Sequence, residues 1–424
     1  MGRRVLVVGG GGREHALAWR LAASPSVDHV ESAPGNPGTA ALGPVHAVDA
    51  TDPVAVAALA AARDVDLVVV GPEAPLVAGV VDELARRGIP AFGPAAAAAV
   101  IEGSKRFAKE VMEAAGAPTA GYVATDDRAE AQAALDRFEP PYVVKADGLA
   151  GGKGVRICTS LDEARTAVDD ALVRGVFGAA GARLVIEEFL AGPERSVFGV
   201  CDGEDVVLLA PAQDYKRALD GDQGLNTGGM GAYTPVPGFG LADVAGLADT
   251  VFRPVLRELA ARGTPYRGLL YAGLVETDQG PRLLEFNARF GDPETQVILP
   301  CLASDLGELL WAAATGSVTG AEVAWHRAGA VTVVLASGGY PGSYETGREI
   351  RGVEDVGDAE GVAVFHAGTA RDGDRLVTAG GRVLNVTAWD ADVPAARARA
   401  YAAADRITFE GLHRREDIAA VVAG

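Results

Sequence analysis

Arg282-Leu283-Leu284-Glu285-Phe286-Asn287-Ala288-Arg289-Phe290-Gly291-Asp292-Pro293-Glu294-Thr295-Gln296 decides how the chain is read. Leu283 and Leu284 read as the end of a buried strand. Glu285 and Asn287 follow two residues apart, so on a strand their side chains leave by the same face. A carboxylate and an amide oxygen side by side are hard oxygen donors suited to Mg²⁺. Arg289, Asp292 and Glu294 come next, in a turn marked by Gly291-Asp292-Pro293. Taken alone the stretch fits two readings, a metal-binding strand end or a solvated polar turn, because runs of charge are commonly solvated faces.

Working outward, a chain of 424 residues with 49% hydrophobic residues has material for several cores and points to two to four domains. It holds no apolar run long enough for a membrane helix, and Arg3 to Gly9 reads as a core strand rather than a secretion signal. Three well-separated cysteines, Cys158, Cys201 and Cys301, fit a reducing cytoplasm and give no sulfur metal site. The histidines show no metal-ligand spacing. A net charge of −19 argues against nucleic-acid binding, which relies on basic surface. Only five of the 38 basic residues are lysine: Lys105, Lys109, Lys145, Lys153 and Lys216. An ammonium is a compact charge that arginine does not imitate at a crowded phosphate. Four of the five fall in the motifs below, whereas Lys109 reads as chance retention on a solvent face.

Along the chain, strand 4–8 leads into Gly9-Gly10-Gly11-Gly12-Arg13, which opens a helix over 14–23. Such a loop lets backbone N–H groups approach an anion at a helix N-terminus. The dinucleotide fingerprint is incomplete, with His15 at the third glycine position, and Glu31 lies where a ribose-binding acid would stand, so a dehydrogenase reading stays open here. Helices 52–62 and 75–87 flank strand 66–70, which ends in Gly71-Pro72-Glu73. The first 101 residues are expected to form a doubly wound parallel α/β domain. A helix capped by Ser104 opens a second domain over 102–325, with a small subdomain at 119–189. There, strands 141–146 and 154–158 flank a glycine-rich segment with Lys153 at its tip, a flap that would close over phosphates. Strand 183–188 ends in the adjacent acids Glu187 and Glu188, which suit an adenine amino group and a ribose or, equally, protect an edge strand. Residues 221–233, rich in glycine and without periodicity, read as an ordered functional loop. A helix is expected over 241–262, and strands 268–276 and 281–287 as an antiparallel pair. Glu276 is a candidate further metal ligand or a solvated acid. From 326 to 424, short strands and one helix read as an antiparallel α+β domain.

Gly9-Gly10-Gly11-Gly12-Arg13-Glu14-His15-Ala16, Gly71-Pro72-Glu73, Lys145 with Gly148 to Gly154, Gln213-Asp214-Tyr215-Lys216-Arg217, Asn226 to Tyr233 and Glu285 to Glu294 occur in one order. So do His366-Ala367-Gly368-Thr369 and Gly380 to Asn385. Together they closely resemble the phosphoribosylamine–glycine ligase family (glycinamide ribonucleotide synthetases) of the ATP-grasp superfamily. The resemblance covers essentially the whole chain; Leu225 departs from the family's usual proline. It implies a multidomain α/β and α+β protein with an ATP-grasp fold. It further implies an enzyme of purine synthesis that joins glycine to 5-phosphoribosylamine, with ATP as co-substrate and Mg²⁺ or Mn²⁺ as cofactor. The expected metal ligands are Glu285 and Asn287. ATP would be held by Lys105, Lys145, Gly151, Gly152, Lys153, Glu187, Glu188, Leu190, Glu194 and Asn287. Gly10, Gly12, Arg13, Glu73, Asp214, Lys216, Arg289 and Asp292 would hold the other substrates. Arg289, Lys153 and Asp292 are the expected catalytic groups. The chain is expected to act on small molecules as a cytoplasmic monomer, without nucleic acid or membrane. The competing readings are another ATP-grasp carboxylate–amine ligase, a nucleotide-binding regulator and the dehydrogenase.

Overall fold

The computed structural model describes residues 2–148, 154–357 and 359–423. Strands β1 (Arg3–Gly9), β2 (Val27–Pro34), β3 (Leu67–Val70) and β4 (Ala91–Phe92) form a parallel sheet in the order β2-β1-β3-β4. The unbroken apolar runs of β1 and β3 are what a sheet covered on both faces requires. The expected helix over 75–87 is two helices, Glu73–Ala78 and Val80–Arg86, because Gly79 between them adopts a left-handed φ of +90°. The alanine run after β4 forms helix Ala96–Gly103, as alanine's helix preference allows.

Ser104 caps the next helix, Lys105–Ala114, its hydroxyl accepting the Phe107 N–H at 3.1 Å. Strands β5 (Tyr122–Thr125), β6 (Tyr142–Ala146), β7 (Val155–Cys158) and β8 (Leu184–Glu188) make an antiparallel sheet ordered β5-β8-β6-β7. Helices Arg128–Leu135 and Leu161–Leu172 pack on it with a separate small core. Asp147, at the start of the β6–β7 connection, is pinned to the capped helix: its carboxylate accepts from Ser104 Oγ (2.9 Å) and the Arg106 N–H (2.7 Å).

Strands β9 (Glu194–Asp202) and β10 (Val206–Leu208) form a hairpin. Four short strands follow, β11 (Gln213–Asp214), β12 (Arg217–Leu219), β13 (Gln223–Asn226) and β14 (Gly231–Thr234). At two to four residues each, they are too short to leave a periodic signal. The expected helix over 241–262 is broken into Leu241–Val244, a π-helical turn Ala248–Phe252, and Arg253–Ala261. Pro254, which has no N–H to donate, lies in the first turn of the last piece. Strands β15 (Arg267–Thr277) and β16 (Gly280–Asn287) are the antiparallel pair expected, in a sheet ordered β10-β9-β15-β16.

Strands β17 (Gly329–Ser337), β18 (Val362–His366), β19 (Thr369–Asp372), β20 (Arg375–Thr378), β21 (Arg382–Asp390) and β22 (Leu412–His413) complete the fold, with helix Val393–Ala404. The antiparallel sheet β11-β14-β17-β21-β18 joins strands from both sides of residue 326. No helix among the described residues is long and apolar enough to cross a membrane.

The N-terminal and C-terminal parts meet through helix Gly12–Ala22. The His15 and Trp19 rings stand edge-on to Phe365, centroids 5.5 and 5.7 Å away. His15 Nδ1 accepts the His366 N–H at 2.8 Å. Asn36 Nδ2 donates to the carbonyls of Gly10 (2.9 Å) and His366 (2.8 Å), tying the glycine loop to β18. Burial pushes His15 from 6.5 down to about 3 and His366 to about 4, so both are neutral at pH 7. A histidine depressed in this way stabilises the folded chain above pH 6.5 and loses that contribution as pH falls through 6.5 toward its folded value. His15→Gln keeps an acceptor for the His366 N–H. It is expected to remove about 2 kcal/mol of the stability lost between pH 7 and pH 5, seen as a smaller drop in thermal midpoint than wild type. An equal drop in both proteins would contradict the coupling.

Candidate active site

Strand β16 and the turn after it set the site by alternation. Phe286, Ala288 and Phe290 are buried in the core, while Glu285, Asn287 and Arg289 are half-buried on the opposite face. In the β15–β16 register, Glu285 lies opposite Gly273, which has no side chain to crowd it, and Asn287 lies opposite Tyr271. Burial alone would raise the Glu285 carboxyl. Lys216, Lys145, Lys105 and Arg289 outweigh burial and hold it below the usual carboxylate range. Among the described residues no group of three or more His, Cys, Asp or Glu side chains is placed to hold a metal ion. Glu285 and Asn287 therefore offer two hard oxygens and leave other positions to water and phosphate, which is how proteins commonly hold Mg²⁺ beside a nucleotide. The donor set fits a hard divalent cation. Glu276 sits toward the far end of the hairpin, opposite Pro281, and its carboxylate accepts from Arg195 Nε at 2.8 Å.

The lysines gather around Glu187, which is buried. Lys145 Nζ is 2.9 Å and Lys109 Nζ 3.1 Å from the same oxygen, Oε2. Among the described residues Oε1 has no hydrogen-bond partner. Lys109, expected on a solvent face, is 2% exposed and also donates to Thr119 Oγ1 at 2.7 Å. Its burial pulls it down to about 8 against the attraction of Glu187. Lys105 Nζ donates to the Gly148 carbonyl at 3.3 Å, and burial lowers its pKa. Glu188 pairs with Arg282 at 3.0 Å and accepts the Gly121 N–H at 2.9 Å. Leu190 packs in a small apolar cluster with Ala120 and Val275, backed by Leu284. Glu194 is ion-paired to Lys216. Asp214 is half-buried beside these groups; withdrawal from water pushes it up to about 7, against the pull of Lys216. Gly151, Gly152 and Lys153 lie outside the described residues.

Arg289 joins this cleft to the N-terminal sheet. Its Nη2 is 3.1 Å from Glu102 and its Nε 3.4 Å from Glu73, the acid after β3. Glu102 also accepts the Ala288 N–H at 2.7 Å. Arg13, buried, donates to the Phe290 carbonyl at 3.1 Å, so the glycine loop and the turn after β16 touch. A Cβ at Gly12 would stand 2.2 Å from Asn385 Nδ2, and one at Gly10 2.5 Å from the Gly35 carbonyl. The backbone contact requires glycine at position 10, whereas at position 12 the side-chain ends of Asn385 and Gln296 would have to move aside. Asp292 is engaged by Arg382 Nη2 and Gln296 Nε2, each at 2.7 Å. Glu31 is spent on Arg63 (2.9 and 3.0 Å) and His46 (2.7 Å). It has little left to offer a ribose, which removes the main support for the dehydrogenase reading.

The phosphoribosylglycinamide synthetase N domain matches residues 3–102, the ATP-grasp (A) domain residues 103–295 and the C domain residues 330–421. The chain belongs to the phosphoribosylglycinamide synthetase family. A phosphoribosylamine–glycine ligase of Streptomyces coelicolor is 53% identical over 425 residues, covering 99% of this chain and 100% of that protein. The crystal structure of phosphoribosylamine–glycine ligase from Thermotoga maritima has a TM-score of 0.83 at 36% identity, covering 98% of this chain and 100% of that one. The biotin carboxylase domain of Hydrogenobacter thermophilus 2-oxoglutarate carboxylase, in complex with MgADP, shares the fold. Its TM-score is 0.71 at 17% identity, covering 98% of this chain and 92% of that one.

Three side chains at this family's cleft escaped the sequence reading. Lys109 follows Lys105 by four, so the two share a helix face, a signal that was available. Glu102 was read only as the start of a domain, and Arg382 only as part of a motif. Their partners are 186 and 90 residues away, beyond any local pattern. Glu102→Gln would leave the Arg289 guanidinium without its closest carboxylate. The variant is expected to lower kcat/KM by about 10–100-fold through misplacement of Arg289. Steady-state kinetics in which kcat/KM stays within twofold of wild type would contradict this role.

Proposed function

We propose that this chain is an ATP-dependent carbon–nitrogen ligase. It joins the carboxylate of glycine to the amine of 5-phosphoribosylamine and yields glycinamide ribonucleotide, ADP and phosphate, a step of de novo purine synthesis. Membership of the family and full-length similarity to phosphoribosylamine–glycine ligases support the reaction. The observation that carries the site assignment is that Glu285, Asn287 and Arg289 share one cleft face beside a group of lysines.

A carboxylate is a poor acyl donor to an amine. In the proposed sequence a glycine carboxylate oxygen attacks the γ-phosphorus, ADP leaves, and an acyl phosphate forms. The amine nitrogen then attacks the acyl carbon, the C–O bond to phosphate breaks, and the nitrogen loses a proton. Such transfer needs positioning and charge neutralisation more than covalent help. A divalent ion, Mg²⁺ or Mn²⁺, held by Glu285 and Asn287 would neutralise the phosphate oxygens.

The chain's own groups do the rest. Lys105 and Lys145 face the phosphates, and Lys153 with Gly151 and Gly152 would cover them. Glu187, Glu188 and Leu190 border the adenine, with the free Oε1 of Glu187 and the apolar cluster at Leu190 in support. Glu194 takes the ribose. Arg289 holds the glycine carboxylate through N–H groups not used by Glu73 and Glu102, the bidentate geometry that suits a carboxylate. Asp214 and Lys216 stand at the acceptor side, and Asp292 fixes the turn behind Arg289. Gly10, Gly12 and Arg13 place the ribose phosphate near the N-terminal sheet. The chain acts as a monomer in the cytoplasm; three buried, unpaired cysteines support the reducing compartment.

Release of ADP is expected to require glycine, freshly made 5-phosphoribosylamine and a divalent metal together. Equal ADP release with alanine would favour a different carboxylate–amine ligase. Glu285→Gln is expected to fold normally and lose about 100-fold or more of metal-dependent turnover, from several kcal/mol of lost charge stabilisation. Turnover near wild type would remove Glu285 from the metal site.

A further inference from the structure

The C-terminal stretch Leu412–Ala419 follows helix Val393–Ala404. Arg415 within it is the largest of the fully buried side chains. Its Nε and Nη2 grip both carboxylate oxygens of Asp417, at 2.7 and 2.6 Å. Its Nη1 reaches into the 217–226 hairpin, donating to Asp222 at 2.8 Å and to the Arg217 carbonyl at 3.1 Å. The guanidinium lies over the Tyr215 ring, 4.8 Å from its centroid. A planar cation with a fixed fork can pair, bridge and stack at once, which a lysine cannot.

Tyr215 stands between Asp214 and Lys216. Its ring is buried against Arg415, and its hydroxyl accepts the Ala419 N–H at 2.9 Å. Lys216 on the other side is paired with Glu194. The same stretch grips the hairpin three more times: His413 Nε2 donates to the Ala218 carbonyl at 2.7 Å, Asp417 accepts the Gly221 N–H at 2.8 Å, and the Glu416 N–H donates to Asp220 Oδ1 at 2.8 Å. The backbone that presents Asp214 and Lys216 to the cleft is therefore held from behind by residues near the C-terminus.

We infer that Arg415 is a positioning residue for the acceptor side of the cleft, acting through Tyr215 and the 217–226 hairpin on Asp214 and Lys216. The inference rests on the reading of Asp214 and Lys216 as substrate-binding. A purely structural arginine would change how much enzyme is folded. A positioning arginine changes how well folded enzyme binds the acceptor.

The test uses the full-length enzyme with Arg415→Met, Arg415→Lys and Asp222→Asn. Asp222 is largely exposed and has a φ of +55°, which asparagine tolerates, so this variant removes the charge from the hairpin contact while keeping the Arg415–Asp417 pair. The KM for glycine or for 5-phosphoribosylamine is expected to rise about tenfold in Arg415→Met and less in the other two. Affinity for a fluorescent ATP analogue should stay within about twofold. Unchanged KM values in folded Arg415→Met and Asp222→Asn overturn the inference, as does a loss of kcat that only follows the folded fraction. Lys216→Ala separates the two levels. If it leaves both KM values unchanged, the reading of the acceptor side fails and the inference with it. If it raises one and the Arg415 and Asp222 variants do not, the inference alone fails.

Discussion

Strand β16 and the turn after it must bury Phe286, Ala288 and Phe290 on one side and present Glu285, Asn287 and Arg289 on the other. That constraint organises the molecule. Charges withdrawn from water need counter-charges, and no short segment supplies them all. Arg289 draws Glu102 from the end of helix Ala96–Gly103 and Glu73 from behind β3. Glu285 lies in the field of lysines from three further segments. The cleft exists because five stretches of chain converge to neutralise one face of β16 and the turn after it.

The same accounting explains why the lysines are where they are. Glu187 carries two ammonium groups on one oxygen and leaves the other free. Buried ion pairs of this kind contribute little net stability, because desolvation offsets attraction, but breaking one strands a charge. Their value lies in a fixed arrangement that excess negative charge can enter without the protein reorganising. In a chain with net charge −19, a local surplus of ammonium groups would admit a polyphosphate in the proposed site.

Much of this was legible in the residues. Continuous apolar runs marked β1 and β3, period-two alternation marked β16, and Ser104 marked its helix start. The long reach of the site was not. His15 meets His366 across 351 residues, and Ala288 meets Glu102 across 186. Such partners follow from how the sheets pack, which local spacing does not encode. Lys109 is the instructive case: its helix phase with Lys105 indicated a shared face, yet a lone lysine was read as solvated. The short strands of the 213–234 region escaped for another reason. They are held by register with β17 and by the C-terminal segment rather than by their own pattern.

Arg13 touches the Phe290 carbonyl, Asn36 spans the glycine loop and β18, and Arg382 holds Asp292. The site is thus assembled where all three family segments meet, and activation of a carboxylate by phosphoryl transfer is the chemistry that such a charge-lined cleft suits. The most direct test follows oxygen. With glycine labelled by ¹⁸O in its carboxylate, one labelled oxygen is expected in the inorganic phosphate released per turnover, because the acyl–oxygen bond breaks when the amine attacks. Phosphate free of label during glycine-dependent turnover would contradict an acyl phosphate, and with it this account of the cleft.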